Sequence, residues 1–105
     1  MSRFGLFGKL IATEGNRDTL VEILLEAAES MENLVDCEIY LVNISQDDSN
    51  SIFVYEVWRD ESAHQASLSL EVTQTLIQRA KPIIAGMERI NTLLPKGGKG
   101  ITTLF

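Results

Sequence analysis

The segment IFVYEVWR, residues 52–59, restricts the fold more than any other part of the chain, because nearly every position is apolar or aromatic. Successive side chains of a β-strand point to opposite faces of its sheet, so even-numbered and odd-numbered residues lie on different faces. The two sets are Ile52, Val54, Glu56 and Trp58, and Phe53, Tyr55 and Val57. Both faces are largely apolar, and a sheet built on this strand must be covered on both sides.

The rest of the chain predicts six more elements around this strand. Apolar spacing, turn residues and caps predict strands at about 3–12, 36–44 and 87–94, a helix from the N-cap Asn16 to about Met31, and helices at about 60–69 and 70–85. Asp60 is the expected N-cap of the first of these last two helices, and Pro82 and Gly86 are expected to end the second. The order predicts an α+β, ferredoxin-like βαββαβ protomer with a four-stranded antiparallel sheet.

One domain is expected from 105 residues, over residues 1–95, followed by a Gly-rich spacer and an apolar tail at 96–105. The helices of such a fold cover only one face of the sheet. We therefore expect a homodimer in which a second copy covers the other face, with the tail reaching the partner.

Charge and composition restrict the partners. A net charge of −6 opposes binding to nucleic acid and to anionic membranes, and no apolar stretch approaches the roughly 18 residues of a membrane span. The start of the chain lacks the pattern of an export signal, and the single cysteine, Cys37, fits a reducing compartment. We expect a cytoplasmic protein with no nucleic-acid or membrane partner.

The sequence contains one histidine, one cysteine and no CxxC, HExxH, GxGxxG or P-loop motif. No metal site and no cofactor are therefore expected. Glycines weaken a strand and often mark a close approach, so Gly5 and Gly8 are expected to leave gaps in a pocket wall.

Several residues together resemble the antibiotic biosynthesis monooxygenase (ABM) domain family over about residues 4–95. They are Gly15 before the first helix, Cys37-x-x-Tyr40 in the second strand, and Tyr55-Glu56-x-Trp58 followed by Ala63. The resemblance implies a dimeric α+β barrel in which two sheets face each other, with a pocket between each sheet's other face and its helices. It also implies oxygenation of electron-rich phenolic or quinol-like substrates by O2 without metal or flavin.

The chain departs from the family pattern at one important position. Many members carry a histidine nine residues after the strand-three tryptophan, where this chain has Ser67; its own His64 lies one helical turn earlier. The haem-degrading branch uses an Asn, a Trp and a His at positions that correspond here to Gly8, Ser67 and Ile77, which argues against haem degradation.

The candidate catalytic residues are His64, Trp58 and Glu56. His64 is the candidate base because its ordinary pKa, about 6.5, suits proton abstraction at neutral pH. Trp58 is expected to stack on an aromatic substrate and to donate its indole N–H. Glu56 is expected to orient a group or to pair with a basic residue, for which the candidates are Arg3, Lys9 and Arg89.

Val54, Ser67 and Gly8 are the candidate substrate-binding residues. The structural alternatives are a solvent-facing His64 beside Asp60 and Glu61, and a Trp58 that only packs in the core. Tyr40 and Tyr55 are equally compatible with a dimer interface.

The sequence therefore predicts a cofactor-independent monooxygenase acting on a small aromatic or quinol-type compound and O2. Two other functions stay open. Ser67 at the usual histidine position favours a non-catalytic dimeric small-molecule-binding or stress-related module, and the same fold suits an isomerase or degrader of a small oxygenated signal molecule.

Overall fold

Four strands and three helices follow one another in the predicted order, in a computed structural model that describes residues 3–100. The strands are β1 (Phe4–Ala12), β2 (Cys37–Ile44), β3 (Ser51–Trp58) and β4 (Ile84–Leu93), and the helices are α1 (Arg17–Ser30), α2 (Glu61–Ser67) and α3 (Glu71–Ala80). All pairings are antiparallel, in the order β2-β3-β1-β4. The ferredoxin-like α+β fold is confirmed, whereas the predicted contact of the tail's last residues, 101–105, falls outside the described residues.

The register of the sheet determines which side chains share a face. In the central pair, Phe4 lies opposite Trp58 and Gly8 opposite Val54, so the even-numbered residues of β1 and β3 lie on one face together. The buried core forms between this face and the helices. Its members include Leu20, Leu24, Ile52 and Val54 in one cluster, and Phe4, Met31, Trp58 and Ala63 in a second.

The opposite face of the sheet, here called the outer face, carries the odd-numbered residues and is rich in aromatic rings. The rings of Phe7 and Phe53 stack with centroids 5.9 Å apart, and Tyr55 meets Phe7 edge-on at 6.5 Å. Leu41, opposite Tyr55 in the register, is 54% exposed. The described part of the chain therefore leaves this apolar face partly accessible, with Leu41 exposed and Phe7, Phe53 and Tyr55 half-buried.

The predicted boundary between the last helix and the last strand is wrong. Helix α3 ends at Ala80, a short 3₁₀ turn covers Lys81–Ile83, and β4 already begins at Ile84. Pro82 cannot donate the backbone hydrogen bond that a longer helix needs. The carbonyl of Ile83 instead accepts a 2.8 Å hydrogen bond from the N–H of Thr13, directly after β1, and Gly86 lies within the strand rather than ending the helix.

Candidate functional site

A cavity of about 750 Å³ lies between the helix-facing side of the sheet and the helices. Its lining is mainly apolar and includes Leu6, Leu10, Leu24, Leu76 and Ile84. All six residues predicted for the site line it: Gly8, Val54, Glu56, Trp58, His64 and Ser67. The fold brings them together because three come from neighbouring positions of β3, one from the facing part of β1 and two from one side of α2.

Glu56 and Trp58 form a hydrogen-bonded pair on the cavity wall. The two side chains share a face because they are two residues apart in β3, and the indole Nε1 of Trp58 donates to Glu56 Oε1 at 3.0 Å. Burial raises the pKa of Glu56, and the indole N–H and the charge of Arg89 partly oppose this effect. The protonated form of Glu56 is therefore more favoured in the cavity than it would be in water.

The basic partners predicted for Glu56 mostly lie elsewhere. Arg3 pairs with Glu38 in β2, and the Lys9 ammonium lies over the Phe53 ring on the outer face. Arg89 acts on Glu56 through its charge. The hydrogen-bond partner that stabilises Glu56 is therefore the indole of its own strand.

His64 is buried in the cavity wall, so the alternative of a solvent-facing residue is wrong. Asp60 is the N-cap of α2, as predicted, and its Oδ1 accepts from the N–H of Ala63 at 2.7 Å, which begins the helix that carries His64. The imidazole is 6% exposed; its centroid lies 5.2 Å from the Phe4 ring and 5.6 Å from the Trp58 ring.

The protonation state of His64 follows from this environment. Burial lowers the pKa of His64, the positive charge of Arg89 lowers it further, and Glu61 acts in the opposite direction. Within residues 3–100, Nδ1 of the ring is buried without a hydrogen-bond partner. This environment favours the neutral imidazole, which is the form that accepts a proton.

Ser67 faces the same cavity one helical turn after His64. It is 5% exposed, and its Oγ donates to the backbone carbonyl of His64 at 2.6 Å. Because its proton is committed to the helix backbone, the Ser67 hydroxyl faces a ligand as an acceptor.

Gly8 and Val54 form the floor of the cavity. They lie opposite each other in the β1–β3 register, and Gly8 also lies opposite Arg89 in β4. A Cβ built on Gly8 would meet only the carbonyl oxygen of Glu88, at 3.6 Å, so the glycine leaves open space. Gly5 leaves no gap in this wall, because its Cβ would lie on the outer face, 3.1 Å from Cγ of Pro95.

Two further residues that line the cavity were not predicted as site residues. Tyr40 in β2 lies opposite Glu56 and lines the cavity, and its pKa is raised by burial and then by the Glu56 charge. Arg89 enters from β4. Neither β2 nor β4 alternates polar and apolar residues, and the register that places these two side chains opposite Glu56 and Gly8 comes from the pairing of β2 with β3 and of β4 with β1.

The described residues contain no group of three or more His, Cys, Asp and Glu side chains placed to hold a metal ion. Cys37 is half-buried, and burial raises its pKa to about 11, which keeps the thiol protonated. Within residues 3–100, no helix has the length and apolar character needed to cross a membrane.

Comparison with known proteins identifies the family. The model of the antibiotic biosynthesis monooxygenase family matches residues 4–79, which include all six predicted site residues but not Arg89. The chain belongs to the antibiotic biosynthesis monooxygenase (ABM) family. No curated protein matches the sequence.

Solved structures support the ABM fold. A protein from Chloroflexus aurantiacus J-10-fl, named as a candidate antibiotic biosynthesis monooxygenase, is 40% identical, with a TM-score of 0.86 over 95% of this chain and 99% of its own. A similarly named protein from Caulobacter crescentus CB15 is 16% identical, with a TM-score of 0.80 over 90% of each chain. One from Nitrosomonas europaea is 11% identical, with a TM-score of 0.82 over 89% of each chain. At these low identities the last two support the fold alone.

Proposed function

We propose that this ABM protein is a monooxygenase that oxidises a small aromatic or quinol-type compound with O2 in the cavity. The observation that carries the proposal is the buried Nδ1 of His64, which has no hydrogen-bond partner among residues 3–100, in the wall of a mainly apolar cavity. A neutral imidazole at this place is suited to take a proton from a phenolic hydroxyl at neutral pH.

The reaction balances without a cofactor or an external reductant. His64 takes a hydroxyl proton from the quinol, and the electron-rich anion passes an electron to O2 before the two radicals combine to form a C–O bond. The imidazolium protonates the resulting peroxide, and the hydroperoxide then loses water as its O–O bond and the C–H bond on the same carbon break. One oxygen atom is retained in a hydroxyquinone, the other leaves as water, and the substrate supplies all four electrons.

The other candidate residues have supporting roles in this proposal. The Trp58 indole is held at a fixed angle by its hydrogen bond to Glu56, and its ring walls the space where an aromatic substrate stacks. Glu56, with its raised pKa, is placed to donate a hydrogen bond from its protonated form to a substrate oxygen. Val54 and Gly8 shape the floor, and Ser67 accepts a hydrogen bond.

The same proposal includes a cytoplasmic homodimer in which the outer faces of two sheets pack together. Its support is the aromatic cluster around Phe7, Phe53 and Tyr55, which the described residues leave partly accessible. An apolar face of this kind is usually covered in the native assembly.

The direct test is O2 uptake by metal-stripped protein with a panel of hydroquinones and anthrones, comparing wild type, His64→Ala and Gln65→Ala. Gln65 is exposed on the same helix, so its variant is a matched control. We expect substrate-dependent uptake in wild type and Gln65→Ala, and a loss of about 100-fold in kcat in His64→Ala. Incorporation of one 18O atom from 18O2 into the product identifies the monooxygenase reaction.

Each alternative has a different outcome. Turnover of the same compounds under nitrogen would assign an isomerase, and ligand-induced thermal stabilisation without any turnover would assign a binding module. Uptake that is equal in wild type and His64→Ala, with both proteins folded, would exclude the role of His64 as base.

A further inference from the structure

Among the described residues, 3–100, Arg89 differs from the other arginines in forming no ion pair with a carboxylate. Within residues 3–100, Arg3, Arg17, Arg59 and Arg79 each form an ion pair, with Glu38, Asp18, Asp36 and Glu26 respectively. Arg89 forms no ion pair or hydrogen bond with any described residue.

The position of this cation connects it to the site. Arg89 lies opposite Gly8 in the register, and the glycine leaves the space beside it open. Its charge lowers the pKa of both Glu56 on β3 and His64 on α2, so its field reaches two different walls of the cavity. Lys81 lines the same cavity, is exposed, and also forms no ion pair within the described residues.

The nearby carboxylates do not neutralise this charge. Glu56 is engaged with the Trp58 indole, and its raised pKa disfavours the ionised form. Glu88 also lines the cavity, but it lies opposite Lys9 in the register, and Lys9 and Lys81 line the cavity as well. The cavity therefore has an excess of positive charge at the β4 side of an otherwise apolar space.

We propose that the substrate carries an oxyanionic substituent, a carboxylate or a phosphate monoester, that pairs with Arg89. This inference rests on one part of the proposed function, namely that the cavity is the substrate site. Arg89 is exposed at the β4 edge of the cavity, and its planar guanidinium can form two parallel hydrogen bonds to such a group. The aromatic ring of the substrate then lies between the Arg89 side of the cavity and the wall formed by His64 and Trp58.

An edge strand often carries a charged side chain that prevents pairing with other strands, and β4 is an edge strand. That role requires no ligand and predicts no preference among ligands. A measurement of ligand preference therefore separates the two roles of Arg89.

The test is calorimetric binding under nitrogen, where no oxidation occurs. The first arm compares 1,4-dihydroxy-2-naphthoate with its methyl ester, which differ in charge. The second arm compares 1-naphthyl phosphate with 1-naphthol. We expect wild type to bind at least one acid about tenfold or more tightly than its neutral partner, which is the range of a charge-assisted hydrogen bond. The arm with the larger preference identifies carboxylate or phosphate.

Variants assign the preference to Arg89. Arg89→Gln should abolish it while leaving binding of the neutral probes within about twofold, and Arg89→Lys should retain part of it. Lys96→Gln, which removes an exposed charge that lies outside the cavity, is the control and should behave as wild type. Circular dichroism verifies that each variant is folded.

Two results would overturn the proposal. The first result is that, in both arms, the acid does not bind wild type or binds it no more tightly than its neutral partner does. The other is an Arg89→Gln variant that weakens acid and neutral probe equally. Because binding is measured without O2, a clear acid preference with no O2 uptake would refute the oxygenase proposal and leave this one intact.

Discussion

At the scale of single residues, the cavity depends on how polar side chains are stabilised when burial removes their water. Glu56 and His64 experience opposite pKa shifts with the same main cause, because burial favours the neutral form of both an acid and a base. Burial therefore shifts both groups toward their neutral forms, in which the Glu56 carboxyl can donate a hydrogen bond and the His64 imidazole can accept a proton.

The Glu56–Trp58 hydrogen bond gives a test at this scale. Because the pKa of Glu56 is raised on folding, its ionised form destabilises the folded protein at pH 7, and this cost disappears as pH falls below the unfolded value, 4.5. Glu56→Gln keeps an acceptor for the indole and cannot ionise. We expect it to be at least as stable as wild type at pH 7, with a smaller difference at pH 4, by urea unfolding.

Glu56→Ala is the matched comparison. It leaves the indole N–H of Trp58 without its acceptor, and we expect a loss of about 1–3 kcal/mol in the free energy of unfolding at both pH values. A Gln variant as unstable as the Ala variant at pH 7 would contradict the view that the carboxyl oxygen acts mainly as an acceptor for the indole.

At the scale of elements, α2 is the part of the fold that positions the candidate base. It has seven residues, which is too short to be stable alone, so its N-cap and its packing determine whether His64 is held in place. The carboxylate of Asp60 supplies the cap, and the backbone bond from Ser67 Oγ to the His64 carbonyl closes the same turn.

The cap gives a second prediction. Asp60→Ala should lower the free energy of unfolding by about 1 kcal/mol. It should also lower kcat by a larger factor than it changes KM, because the His64 ring becomes less well positioned. Asp60→Asn keeps a capping oxygen and should restore both. Urea unfolding and steady-state O2 uptake measure the two effects. An Asn variant as impaired as the Ala variant would indicate that the charge of Asp60, rather than its cap, matters.

The elements also show where reasoning from the sequence succeeds and where it stops. The cap at Asp60 was predicted because a side-chain oxygen before an apolar helix acts locally. Asn16 lies at the N-cap position as predicted, but its Nδ2 donates to Thr13 Oγ1 and no side-chain cap forms. The end of α3 was misplaced because the pairing of Ile83 with Thr13 lies between segments far apart in the chain.

At the scale of the whole molecule, the two faces of the sheet have different roles. One face and the helices enclose the cavity, and the outer face carries the aromatic cluster. Dimer formation through the outer face is tested by Leu41→Asp, with Leu25→Asp as control. The two leucines are 54% and 50% exposed, but Leu25 lies on α1 rather than on the outer face.

We expect wild type and Leu25→Asp to have twice the 11.7 kDa mass of one chain by light scattering, and Leu41→Asp to shift toward a single chain. A charged side chain in an apolar interface is costly to desolvate, whereas on an exposed helix surface it is not. Wild type with the mass of one chain at micromolar concentration would exclude the proposed homodimer.

The amino-acid sequence by itself determined the element order, the two apolar faces of β3, and the common face of Val54, Glu56 and Trp58. These follow from side-chain periodicity and caps, which act within a few residues. Only the tertiary structure decided that Tyr40 and Arg89 enter the cavity, that Trp58 is the partner of Glu56, and that His64 is buried. These depend on strand register and on helix packing, which are interactions between distant segments that local patterns do not specify.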